Sequence, residues 1–193
     1  MGDTAANSLA IALGANLGDP PATLAAVRPL LAAVLESWWP GPGRPRLRWS
    51  PLFRTEPVGG PAGQPDFLNA VLLADPLPAV AADAGLALLQ ALQALEARFG
   101  RQRLEHWGPR SLDLDLLWCG ALSLDRPELS LPHPRLRERA FVLVPLAALD
   151  PALIVPGDGV VPLASVRELL EGLPPEVLEP SPERLGRVAG WPE

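Results

Sequence analysis

Asp113 and Asp115 stand two residues apart in the run Trp107-Gly108-Pro109-Arg110-Ser111-Leu112-Asp113-Leu114-Asp115-Leu116. The run reads as a short strand entered through a Gly-Pro turn. Strand side chains alternate, so the two carboxylates share one face while Leu112, Leu114 and Leu116 share the other, turned to a core. Residues two apart on a strand have Cα atoms roughly 6–7 Å apart. Carboxylates at that separation suit a shared pair of hard cations, which take oxygen ligands. Arg110, three residues before Asp113, is placed to meet an anion held by those cations. Fixed charges of both signs on one strand face are what phosphoryl transfer requires. Taken alone, the same residues also fit a solvated strand face with Arg110 as salt-bridge partner.

Four further segments carry chemistry-bearing side chains. Gly14-Ala15-Asn16-Leu17-Gly18-Asp19 lies between a strand and a helix, but lacks the Gly-Lys-Ser/Thr ending of a P-loop. Two strands joined by a rigid Pro/Gly loop bring Thr55 and Asn69 near each other; a hydroxyl and an amide read the donor and acceptor edge of a flat heterocycle, and Phe67 would cover its face. Gln93, Glu96 and Arg98 close a helix at Gly100, and Arg101 and Arg103 follow on a loop suited to closing over a triphosphate. Last, Pro132-His133-Pro134-Arg135 and Arg139-Ala140-Phe141 gather a histidine, arginines and an aromatic ring.

The elements that must position these residues follow from periodicity. Residues 8–13 read as a buried strand. Asp19 is a helix N-cap with Pro20 at the first helical position, and Leu24, Val27, Leu31 and Leu35 recur at helical spacing. Residues 46–54 read as one strand in which Pro51 implies an edge or a bulge. A third strand spans 67–74, and a helix spans 78–99 with Leu88, Leu92, Leu95 and Phe99 on one face. The fourth strand is 112–118, and 137–149 reads as two short helices. The order is β-α-β-β-α-β, an α+β, ferredoxin-like pattern with an antiparallel sheet and helices packed on it, plus a C-terminal extension. One domain over 8–173 and a loosely held tail over 174–193 are expected.

In this order the segments resemble the 6-hydroxymethyl-7,8-dihydropterin pyrophosphokinase family of folate biosynthesis. The resemblance rests on Gly14-Ala15-Asn16-Leu17-Gly18, Arg54-Thr55-x-Pro57, Gln64-Pro65-x-Phe67-Leu68-Asn69, Glu96 with Gly100-Arg101-x-Arg103, the run from Trp107 to Asp115, Pro132-His133-Pro134-Arg135 and Arg139-x-Phe141-Val142-Leu143. It covers about residues 9–151. It implies transfer of pyrophosphate from ATP to a pterin alcohol with release of AMP. It further implies that Asp113 and Asp115 bind two magnesium ions, with Arg101 and Arg110 catalytic beside them. Thr55, Pro57, Val58, Phe67, Asn69, Trp107 and Phe141 would hold the pterin. Gln93, Glu96, Arg101, Arg103, Trp107, Arg110, His133 and Arg139 would hold ATP. The stretch Leu104-Glu105-His106 is short and weakly basic for this family, Pro134 replaces an aromatic of some members, and the Pro40–Pro45 insertion and the tail fall outside the pattern.

Composition narrows the alternatives. The chain has 193 residues, a hydrophobic fraction of 48% and a net charge of −6, with every basic residue an arginine. That charge opposes general nucleic-acid binding. No apolar run approaches the roughly 20 residues that span a bilayer, and the N-terminus lacks the basic start of a secretory signal, so a cytoplasmic monomer acting on small molecules is expected. One cysteine, Cys119, excludes an internal disulfide and reads as a small buried residue at a strand end. Two rivals share the strand order. An RNA-binding module would need exposed aromatics on the central strands. A non-catalytic nucleotide-binding relative would lack Asp113 or Asp115, and both are present.

Overall fold

The run Leu-Ala-Ile-Ala-Leu-Gly-Ala alternates large and small side chains at strand period, and it forms β1 (Leu9–Ala15). A computed structural model of the chain describes residues 7–101, 108–157, 163–178 and 180–192. After β1, Asp19 caps α1 (Pro20–Trp38): its carboxylate accepts the Ala22 N–H at 3.0 Å, with Pro20 at the first turn. Then come β2 (Arg46–Trp49), β3 (Phe53–Thr55), β4 (Phe67–Asp75) and α2 (Ala82–Arg98). The strand bearing the aspartates is β5 (Asp113–Cys119). A hairpin of β6 (Leu124–Arg126) and β7 (Leu129–Leu131), a 3-10 turn (Leu136–Glu138) and α3 (Ala140–Leu149) follow. The chain ends through β8 (Ile154–Val155), β9 (Ala164–Ser165), α4 (Val166–Glu171), α5 (Pro175–Leu178) and β10 (Glu183–Arg184).

The main sheet runs β10-β3-β4-β1-β5, with β2 also on β4, and every pairing is antiparallel. Counting β2 and β3 as one interrupted strand, the core order is the expected β-α-β-β-α-β. Large β1 side chains (Leu9, Ile11, Leu13) pack under α1 and α2, against Leu24, Val27, Leu31, Leu35, Leu88, Leu92 and Leu95. The other face is covered too. Ala10, Val71, Leu73, Leu117 and Trp118 lie beneath Val142, Leu143 and Leu146 of α3 and Val166 of α4. An RNA-binding sheet of this strand order presents that face to its ligand; here α3 occupies much of it. Among the described residues no helix is long and apolar enough to cross a membrane. Cys119 is free and buried, and burial pushes its thiol up to about 12, so it stays protonated.

Several boundaries differ from expectation for identifiable reasons. The strand expected over 46–54 is broken at Ser50–Leu52. Pro51 has no N–H for the ladder. Ser50 closes the gap: its N–H donates to the Val71 carbonyl, and its hydroxyl, in place of its own carbonyl, accepts the Val71 N–H, both at 2.9 Å. The helix expected from 78 begins at Ala82; Leu77, which precedes a proline, is held outside it with its N–H on the Asn7 carbonyl. The β6–β7 hairpin lies in a segment read only as proline-rich. The tail, expected to be loosely held, adds β10 to the edge of β3 and buries Trp191 to 7% exposure. The indole N–H of Trp191 donates to the Ser50 carbonyl at 2.9 Å, which explains why that carbonyl is free to leave the ladder.

Ser50 is fully buried. We expect Ser50→Ala to leave the Val71 N–H unpaired and lower the unfolding free energy by about 1–3 kcal/mol in urea denaturation. Ser130→Ala, which removes only an exposed 3.5 Å contact to Asp125, serves as the control and should change stability by less than about 0.5 kcal/mol. Equal effects would place the bulge's stability elsewhere.

Candidate active site

The second sheet face is only partly covered. Beyond the reach of α3, β1 presents Ala12 and Gly14, flanked by Asp115 and Asp113 on β5 and by Val71 and Asn69 on β4. Small residues in the middle strand make a floor, and larger side chains on both sides make walls. The resulting cleft has a volume of about 220 Å³. Its lining includes Thr55, Glu56, Pro57, Val58, Phe67, Asn69, Arg101, Arg110, Asp113, Asp115, His133, Arg135, Arg139 and Phe141. Gly14 has no positive-φ requirement; it is needed for space, because a Cβ there would lie 2.9 Å from the Asn69 amide oxygen.

One end of the cleft is ionic. Arg110 Nη1 lies 2.6 Å from one Asp113 oxygen, and Arg101 Nη1 lies 2.5 Å from the other. Arg139 Nη1 approaches Asp115 at 3.4 Å. Glu96 lies beneath, 4% exposed, where its carboxylate accepts the Leu114 N–H at 2.7 Å and pairs with Arg101. It thereby ties the end of α2 to the aspartate strand and orients Arg101. Burial, then the Asp113 charge, pushes Asp115 up to about 6 against the pull of Arg139, Arg101 and Arg110. No group of three or more histidine, cysteine or carboxylate ligands occurs among the described residues. Two carboxylates alone suit magnesium, which keeps several waters and completes its shell with substrate phosphates rather than a protein cage.

The other end suits a flat ring. Thr55 and Asn69 are both buried, and the Asn69 amide donates to the Thr55 hydroxyl at 2.6 Å. Each flanking ring currently carries a guanidinium: Arg110 lies 5.7 Å from the Phe67 centroid and Arg139 5.3 Å from that of Phe141. Pro57 and Val58 form the adjoining loop, with Val58 66% exposed.

At the cleft's third side, His133 Nδ1 accepts the Arg135 N–H at 3.1 Å. Burial, Arg139 and Arg135 lower its pKa to about 4, so the ring is neutral at pH 7 with its proton on Nε2. Of the residues assigned from sequence, Gln93 stands apart: it is exposed and lines a separate depression with Glu96 and Arg101. Arg103 and Trp107 lie outside the described residues. Asn16, which sequence reasoning gave no task, is 3% exposed and joins three segments. Its amide oxygen accepts the Arg110 N–H at 2.7 Å, its backbone N–H donates to the Arg110 carbonyl at 3.0 Å, and its amide N–H donates to the Pro65 carbonyl at 3.0 Å. The one available signal was a buried-type asparagine between two glycines of a turn.

The raised Asp115 pKa has a stability consequence. Its protonated form is favoured in the fold, so its contribution is fully present below the unfolded value near 3.8 and is lost as pH rises through about 6. Without magnesium, Asp115→Asn should therefore melt higher than the parent at pH 7.5 and equal it at pH 4. The side chain keeps 37% of its surface open to water, which screens the effect to less than about 1 kcal/mol. A variant less stable than the parent at pH 7.5 would contradict this.

Comparison with known proteins agrees with the geometry. Residues 10–151 match the family model of 7,8-dihydro-6-hydroxymethylpterin-pyrophosphokinase. A 2-amino-4-hydroxy-6-hydroxymethyldihydropteridine pyrophosphokinase of Pseudomonas aeruginosa is 41% identical over 175 residues, covering 89% of this chain and 95% of that one. Its counterpart in Methylorubrum extorquens is 39% identical over 172 residues, 88% of this chain and 95% of its own. Among solved structures, a Plasmodium falciparum HPPK-DHPS triple mutant with pteroate superposes with a TM-score of 0.52 at 14% identity, over 86% of this chain and 43% of that one, a likeness of fold. With the match spanning the strands, helices and loops that build the cleft, the chain belongs to the 7,8-dihydro-6-hydroxymethylpterin-pyrophosphokinase family.

Proposed function

We propose that the chain transfers pyrophosphate from ATP to the hydroxymethyl group of 6-hydroxymethyl-7,8-dihydropterin in this cleft, releasing AMP, as a step of folate biosynthesis. The observation that carries this reading is the placement of Asp113 and Asp115, each paired with an arginine, in one cleft with the Thr55–Asn69 pair and two flanking phenylalanines. The substrate hydroxyl oxygen forms a bond to the β-phosphorus of ATP as the bond from that phosphorus to the AMP oxygen breaks, and the hydroxyl proton passes to solvent.

Each group has a definable task. Asn69 and Thr55 meet the polar edge of the pterin, Phe67 and Phe141 cover its faces, and Pro57 and Val58 close the rim. Asp113 and Asp115 would hold two magnesium ions, which when bound would neutralise negative charge on the phosphates of ATP. Arg101, Arg110 and Arg139 then exchange carboxylate partners for phosphate oxygens, so that fixed positive charge faces the transferring group. Neutral His133 offers its Nε2 proton to the nucleotide, and Gln93 and Glu96 border the adenosine side. Arg103 and Trp107 belong to the segment expected to cover the bound substrates. The proposed reaction takes small-molecule substrates alone, and the reading keeps the expectation of a cytoplasmic monomer without nucleic-acid or membrane partners.

The direct test is AMP formation from ATP and magnesium with and without the pterin alcohol; release of AMP independent of the pterin would overturn the reading. Asp113→Asn and Asp115→Asn should each lower turnover by about a hundredfold to a thousandfold, the range for losing one group that stabilises transition-state charge, with circular dichroism unchanged. Near-normal turnover in either variant at saturating magnesium would remove it from the metal site.

Gly14→Ala tests the pterin end. The added methyl collides with the Asn69 amide oxygen, so calorimetry should find weaker pterin binding by about 1–2 kcal/mol and unchanged ATP binding. Equal losses for both ligands would mean that the substitution disturbs the sheet rather than the pterin edge.

A further inference from the structure

The segment around β10 lies beyond residues 10–151, the part matched by the family, yet it is built into the strand that carries Thr55. We propose that residues 183–191 are a positioning element for the pterin half of the site, holding β3 in register so that Thr55 and the loop after it can receive the heterocycle. This rests on the function proposed above and adds to it a part of the chain to which no role has been given.

The outer side of the β2–β3 bulge needs partners. Ser50 is fully buried and Leu52 is 2% exposed, and at both the carbonyl points away from the β4 ladder. Their donors come from the tail: Trp191 Nε1 to the Ser50 carbonyl and the Leu185 N–H to the Leu52 carbonyl, each 2.9 Å. Just before Leu185, Glu183 and Arg184 pair with Arg54 and Phe53. Trp191 also packs edge-on against Trp49, with centroids 5.5 Å apart. The Gly190 carbonyl accepts Arg28 Nε of α1 at 3.1 Å. Gly190 has φ 78°, and a Cβ there would sit 3.1 Å from Ala25, so the docked path demands glycine at this point.

What the tail holds is short and close to the chemistry. β3 has three residues and ends at Thr55, whose hydroxyl accepts the Asn69 amide, and residues 56–59 line the cleft directly after it. Without the tail, β3 becomes an open edge and two buried carbonyls lose their donors, so Thr55 and its loop are free to shift. Of the groups assigned to ATP, Glu96, Arg101, His133 and Arg139 contact β5, the edge strand opposite β10. The effect is therefore selective for the pterin.

Coupling of this kind is reciprocal: if the docked tail favours pterin binding, pterin binding must protect the docked tail. Hydrogen exchange on the unaltered full chain tests it first. With magnesium and a non-hydrolysable ATP analogue present, adding the pterin alcohol should slow amide exchange in 183–191 by on the order of fivefold, and the nucleotide alone should not. Kinetics of two variants test it second. Trp191→Ala should raise the KM for the pterin alcohol by about fivefold and leave kcat and the KM for ATP unchanged, and Trp191→Phe, which keeps the ring but loses the donor to the Ser50 carbonyl, should fall between it and the parent. If Trp191→Ala does not fold, the exchange experiment decides alone. Pterin binding with unchanged tail exchange, or a parallel rise in both KM values, overturns the positioning role. A chain that binds no pterin at all overturns instead the function on which it rests.

Discussion

The cleft depends on the absence of bulk along one face of β1. Leu9, Ile11 and Leu13 fill the core under α1 and α2, while Ala10, Ala12 and Gly14 face the other way. Because neighbouring strands lie only about 4.8 Å apart, side chains on β4 and β5 stand within reach of one another across such a floor. A larger residue at Gly14 would collide with Asn69, and one at Ala12 would stand between Val71 and Asp115. The same small residues let α3 pack closely lower down, over Ala10. Packing and access are thus two uses of one strand face, divided where α3 begins.

Charge balance is the second constraint. Three guanidinium groups and three carboxylates share the ionic end, and Glu96 is buried among them. Buried ions are costly unless paired, and loss of a single partner is costly in turn. The site meets this by pairing its own charges. Glu96 ties the end of α2 to this cluster, because one of its oxygens meets both the Leu114 N–H of β5 and Arg101.

The family resemblance was carried by residues whose neighbours in sequence are also their neighbours on an element. Strand period two put Asp113 and Asp115 together, helical spacing found the buried leucines of α1 and α2, and Asp19-Pro20 marked the start of α1. The boundaries that moved did so where a proline met tertiary structure. At Pro51 a bulge needed Ser50 and Trp191 to complete it, and at Pro78 the helix start waited for Ala82.

The sequence by itself determined the order of the core elements up to β5, the two faces of β5 and the candidate residues for phosphoryl chemistry, since each follows from local periodicity and side-chain type. Only the tertiary structure decided which arginine meets which carboxylate, that Glu96 supports Arg101 from beneath, and that Gln93 lies outside the main cleft. It likewise decided that Asn16 joins Arg110 across 94 residues and that Trp191 joins Ser50 across 141. The physical reason is the range of the interaction. Alternation and capping are written within a few residues, whereas these hydrogen bonds and ion pairs exist only after the sheet has set its register and brought distant segments to one edge.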